Sequence, residues 1–269
     1  MNGLPGLLWL LVLVTALMGL YGFWRPVAFF NLIYPFSVVA MAVIVMVANA
    51  QQLRAPLVIQ LILLIAWGLR LGLYVLRRER SRSYAAHRQA SGYGEIPVVM
   101  RPVIWIVISL LYPAMVSPAL FGPSDGRDLG PIGTSDQWVG LLIMLAGLAL
   151  ETWADRQKSD AKKAAPNTVV TTGLYGWVRS PNYLGEVVFW LGNLIAGMPF
   201  VTGWLRAIVA IGGFCVLALI MLGATKRLET QQGRRYGNDP TYRAWVRRVP
   251  ILFPGTPVYS FKGLKIPEV

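Results

Sequence analysis

The stretch PLVIQLILLIAWGLRLGLYVL, residues 56–76, decides the class of this protein. It has 21 residues and a single charged side chain, Arg70, and about 20 apolar residues suffice to carry a helix across a bilayer core of ~30 Å. Comparable runs at 5–24, 27–49, 100–121, 137–153, 184–200 and 203–223 bring the count to seven. The expected fold is therefore all-α: one polytopic integral membrane domain over residues 1–269, with no separate soluble domain. The first run has no basic residue before it, and its length exceeds an ordinary signal-peptide apolar region, so it reads as a mature helix.

Composition agrees with this reading and excludes other classes. Of 269 residues, 55% are hydrophobic and only 14% charged, and mean hydropathy is +0.54. Disorder is ruled out, and so is the polar, Lys/Arg-rich make-up of a nucleic-acid binder, despite a net charge of +13. One cysteine, Cys215, and one histidine, His87, exclude an internal disulfide, a Cys/His zinc site and a bis-histidine haem; no metal is expected.

The basic residues also orient the chain. Placing the N-terminus outside puts 21 Lys and Arg in the inner loops and tail, against Arg54, Arg127 and Arg206 in the outer ones. Positive residues are retained on the cytoplasmic side, so the tail from Lys226 is expected there, facing cytoplasm and anionic headgroups of a bacterial inner (cell) membrane. The 122–136 segment, rich in Gly, Pro and Asp, reads as an outer loop.

Polar groups inside the spans are the candidates for function, because a charge at depth costs at least ~2.5 kcal/mol without a partner or a wet cavity. Trp67, Arg70, Tyr74 and Arg77 follow one another at steps of 3, 4 and 3 and share a stripe of the third helix. That stripe either snorkels to the headgroups or lines a pocket. Glu151, Asp155 and Lys158 share a face at the end of the fifth span, which fits either a solvated helix end or a ligand entrance. Around the sixth span, Ser180 and Pro181 mark a helix start, and its free amides with Arg179 suit a phosphate or carboxylate. Asn182 and Glu186, four apart, then point along one face into the bilayer.

The segment Gly173-Leu174-Tyr175-Gly176-Trp177-Val178-Arg179-Ser180-Pro181-Asn182-Tyr183-Leu184-Gly185-Glu186 resembles the C-terminal half of the steroid 5-alpha-reductase family and its bacterial relatives of the DUF1295 type. Asp155, Gln157 and Lys158 upstream match too, as does a tail running from Glu229 through Tyr236, Gly237 and Tyr242 to Pro250–Pro254. The tail pattern is shared with isoprenylcysteine carboxyl methyltransferases, which bind S-adenosylmethionine, but those usually carry His where Ser180 stands. The resemblance implies a seven-helix enzyme acting on CH–CH groups, which binds NADPH from the cytoplasmic side and passes hydride to the C=C bond of an enone in a steroid or similar lipid. No GxGxxG follows a strand, so the nucleotide is expected among helices rather than on a Rossmann sheet.

Carried over position by position, the resemblance places Asn182 and Glu186 at the nicotinamide end. It adds Arg70, Tyr74, Glu151, Asp155, Lys158, Tyr175, Arg179, Tyr183 and Tyr236 as further cofactor contacts. It also divides the chain into substrate-side helices over 1–121 and a cofactor-binding half over 137–269. Steroid reductases polarise the ketone with a Gln–Glu pair in the second span and a Tyr three residues before the Arg. Here the second span has no Glu, its strongly polar residues are Asn31, Tyr34 and Ser37, and Trp67 stands at the Tyr position. Tyr34, Trp67 and Glu186 are therefore the catalytic candidates. A membrane methyltransferase and a seven-span channel or carrier are the competing readings.

Overall fold

The computed structural model describes residues 4–79, 96–124 and 133–266. Arg80, Arg82, His87 and Arg88 of the basic third loop, and Arg127 with most of the turn-rich outer loop, lie outside the described residues. Among the described residues there is no strand, and seven helices are long and apolar enough to cross a membrane.

In chain order the helices are α1 (Gly6–Gly19), α2 (Tyr21–Trp24), α3 (Tyr34–Ala48), α4 (Ala55–Glu79), α5 (Met100–Ser124), α6 (Ser135–Ala164), α7 (Pro181–Gly197), α8 (Gly203–Tyr236) and α9 (Pro240–Arg248). α1 and α2 together form the first span, and a π-helical turn, Phe29–Ile33, opens the second. Two spans run well beyond their apolar stretches: α6 has 30 residues and α8 has 34. At 1.5 Å per residue α8 is about 51 Å long, some 20 Å more than the hydrocarbon core, so its last turns stand in the aqueous phase. The sixth span, α7, starts at Pro181, where the missing amide hydrogen costs nothing, and the Ser180 carbonyl accepts from Leu184 N at 3.1 Å.

By compactness the chain divides into two units, and α6, α7 and α8 each contribute to both. The first contains Met1–Leu141 and Asn193–Phe214. In it α3 packs along α4, and α1 along α5. Buried amides pin its helices where water is absent: Gln60 Nε2 donates to Asn193 Oδ1 at 2.9 Å, and Asn193 Nδ2 to the Met115 carbonyl at 2.9 Å. Such bonds satisfy groups that hydrocarbon cannot.

The second unit contains Leu142–Gly192 and Cys215–Val269. It has two apolar centres outside the spans. Ala154, Tyr175, Tyr242, Trp245 and Val249 form one, and Ile251, Leu252 and Phe261 form the other, with Tyr183, Leu184 and Leu222 packed against it. α9 is the amphipathic piece that closes the first: Tyr242 and Trp245 point in, while Arg247 and Arg248 occupy its last turn.

Candidate functional site

In the second unit the site begins with two glycines. A Cβ on Gly185 would lie 2.6 Å from Glu151 N, and one on Gly147 would lie 2.4 Å from Phe189 N. α6 and α7 therefore touch backbone to backbone, as small residues allow between membrane helices. This close crossing carries three acids into the interior: Glu151, Asp155 and Glu186 are 2%, 7% and 7% exposed. Asn182 stands one turn before Glu186, and its Oδ1 is buried with no hydrogen-bond partner among the described residues. Lys158, half-buried, lies one turn beyond Asp155 on α6.

The loop before α7 is clamped from both sides. Gly173 adopts φ +62°, a left-handed conformation that glycine enters without strain. Gln157 Oε1 accepts from Leu174 N at 3.0 Å, Tyr175 donates its hydroxyl to the Ala154 carbonyl at 3.3 Å, and Trp245 Nε1 donates to the Tyr175 carbonyl at 2.7 Å. Tyr175 thus belongs to the packing of this loop. Arg179 is likewise engaged: it is 2% exposed, and its Nη2 donates to Glu229 Oε1 at 3.3 Å and to the Tyr259 carbonyl. Its guanidinium also lies 5.8 Å from the Trp245 ring centre, and its backbone N donates to the Pro250 carbonyl at 2.9 Å. Only Nε is buried without a partner. Glu229 completes the clasp by accepting from Phe261 N at 2.9 Å. Most of the guanidinium that the sequence offers to phosphate is thus turned toward the tail. Tyr236 accepts from Lys162 Nζ at 2.9 Å and sits under that ammonium, 5.2 Å from it. Burial pushes the nearby Tyr242 hydroxyl above its ordinary value of 10, with Arg179 lowering it and Glu229 raising it by smaller amounts.

In the first unit Tyr34 and Trp67 meet edge to face at 5.1 Å, and Tyr34 and Tyr112 lie 4.9 Å apart. All three are buried. The π-turn positions them, because the Phe29 carbonyl in that turn accepts from the Tyr112 hydroxyl at 3.0 Å. Arg70 and Tyr74 are half-buried on α4, and Arg78 lies 5.9 Å over the Tyr74 ring. The second span lacks its own carboxylate, but Glu79 at the end of α4 supplies one: Asn31 Nδ2 donates to Glu79 Oε1 at 3.3 Å.

A family described as "Protein of unknown function (DUF1295)" matches residues 25–249. The chain belongs to the DUF1295 family. Steroid 5-alpha-reductase DET2 of Solanum lycopersicum is 40% identical to the DUF1295 chain over 55 residues, which is 20% of this chain and 21% of that protein. The chain thus matches about a fifth of that relative's length. No solved structure matches.

The resemblance read from the motif is therefore the family of this DUF1295 chain, and its structure explains several motif letters physically. Gly185 is the helix contact, Gly173 is the left-handed turn, and Gln157 caps that turn. Sequence reasoning left Glu229 without a role, along with Gly147 and Tyr112. Glu229 gave one signal, since it is a lone acid among the basic residues at the end of α8.

Proposed function

We propose that this DUF1295 protein is a membrane reductase that uses NADPH to reduce a C=C bond conjugated to a ketone in a steroid or similar lipid. The observation that carries the reading is the buried, partnerless Oδ1 of Asn182, one turn from buried Glu186 on α7. A buried acceptor without a donor is costly, and a carboxamide N–H would satisfy it. The acceptors fit a dinucleotide end of that kind: an amide oxygen and a carboxylate on one face, with Glu151, Asp155 and Lys158 on the helix that α7 touches.

NADPH, when bound, supplies the hydride. Asn182 and Glu186 would hold its carboxamide, and Asp155 and Lys158 would hold its ribose side. Arg179 acts as a positioning residue, holding the start of α7 against the tail through Glu229. In the first unit, Tyr34 would offer its phenolic proton to a ketone oxygen beside the apolar wall of Trp67. The active side opens to the cytoplasm of a bacterial cell membrane, as the asymmetry of basic residues supports.

Thermal stabilisation of the purified protein tests this. NADPH at 100 times its Kd should add ~2.7 kcal/mol, and S-adenosylmethionine nothing. Stabilisation by S-adenosylmethionine alone would replace the reductase with a methyltransferase.

A further inference from the structure

The face of α6 that points away from its buried acids carries a furrow of about 490 Å³, lined by Leu145, Leu148, Ala149, Thr152, Trp153 and Arg156. These residues follow one another at steps of 3, 1, 3, 1 and 3, so they form a single stripe on the helix. Ala149 is the low point, a methyl group between the long side chains of Leu145 and Trp153, which are 53% and 63% exposed. Thr152 does not interrupt the apolar floor, because its hydroxyl turns back to the Leu148 carbonyl at 2.6 Å. The floor becomes polar only at Arg156, which is exposed.

Length and charge together identify the occupant. From Leu145 to Arg156 the helix rises about 16 Å at 1.5 Å per residue. Half of a ~30 Å hydrocarbon core, the depth of one leaflet, is about the same. A lipid chain beginning at Arg156 would therefore end at Leu145, near the midplane. With 137–153 as the span, Trp153 falls at its inner end, where indole rings favour the interface, and Arg156 falls at headgroup depth. Its guanidinium is a fork of donors matched to a phosphate. Asp155, next to it in the chain, is turned to the interior, and Asp160, one turn on, is held by Lys163 at 2.9 Å with a weaker pull from Arg156, so two cations share one exposed carboxylate and a positive charge is left over for another anion. A second copy of this chain, docked through the same stripe about a two-fold axis along the membrane normal, would bring Arg156 against its own copy. An uncharged lipid acceptor would leave that surplus positive charge unmatched.

We propose that this furrow binds one anionic phospholipid, with an acyl chain along Leu145–Trp153 and the phosphate on Arg156. The site is separate from the proposed reductase chemistry and does not depend on it. The test is native mass spectrometry of the full chain, released from mixed micelles holding equal amounts of phosphatidylglycerol and phosphatidylcholine. One phosphatidylglycerol should be retained about fivefold over phosphatidylcholine, the ratio that corresponds to ~1 kcal/mol per basic residue at an anionic surface. Arg156→Gln should abolish the preference while lipid is still retained, and Ala149→Trp, which fills the furrow, should lose both lipids. Both side chains are exposed, so melting temperature should hold within a degree or so; should Ala149→Trp misfold, Arg156→Gln decides alone. Wild-type protein that retains no phosphatidylglycerol, an Arg156→Gln variant with unchanged preference, or a folded Ala149→Trp variant that keeps its lipid would each overturn the proposal. Displacement of the retained lipid by a neutral enone lipid, or a lipid-free dimer blocked by Ala149→Trp, would do so as well.

Discussion

Gly185→Ala puts a methyl group in place of a hydrogen where α6 and α7 touch. The new Cβ would sit 2.6 Å from Glu151 N, 2.8 Å from Glu151 Cβ and 2.9 Å from Glu151 Cα. Carbon atoms rest at about 3.5–4.0 Å, so α6 and α7 must separate locally by roughly 1 Å. Two of the three atoms in the way are backbone, which no rotamer change can remove. Overpacking of this kind costs about 1–3 kcal/mol, which lowers the melting temperature by ~2–12 °C in a chain of this size. The same displacement moves Glu151 away from Asn182 and Glu186, and a misplacement of ~1 Å can cost about 100-fold in rate. Gly212→Ala is the control, because nothing lies within 4 Å of its Cβ. It sits inside α8, so alanine there should stabilise the helix by about 0.5–1 kcal/mol and leave turnover alone. Melting curves and single-turnover NADPH oxidation on both variants read the two effects separately. A Gly185→Ala protein that melts and turns over like the wild type would refute the helix-contact argument.

Three other perturbations follow from the same geometry. Arg179→Ala strands buried Glu229, which costs about 3–5 kcal/mol and frees the tail, so limited trypsin digestion should cut at Lys262 and Lys265 well before it cuts the wild type; equal protection would mean the tail is held elsewhere. Glu186→Gln keeps shape and one acceptor, so the fold should persist while turnover drops, and Glu186→Ala should lose both cofactor affinity and turnover; an alanine variant oxidising NADPH at the wild-type rate would remove Glu186 from the site. Tyr242 holds its proton more tightly folded than unfolded, so its contribution to stability is full below pH ~10 and is lost as pH rises through the raised value. Alkaline denaturation of Tyr242→Phe should therefore be shallower than that of the wild type, and superimposable curves would show that burial does not shift this hydroxyl.

The sequence by itself determined the class, the seven spans and the start of the sixth helix. These are local properties: twenty apolar residues leave the backbone few options in a bilayer, and a proline at position 181 starts a helix without losing any hydrogen bond. The grouping of Asn182 with Glu186, and of Glu151 with Asp155, was equally legible, because it needs only the helical repeat. Tertiary structure decided how those groups are used. Arg179 and Glu229 are 50 residues apart, and nothing in either neighbourhood says that the cation faces a carboxylate from α8. Gly185 looks like any helix glycine until Glu151 of α6 is found where its side chain would be. The second span offers no acid in its own sequence, and Glu79 reaches Asn31 only because α4 folds back along the first unit. Hydropathy and helical repeat act over a few residues, so one chain can express them alone. Close packing and the pairing of buried charge require two segments to meet, and only the folded chain sets where they do.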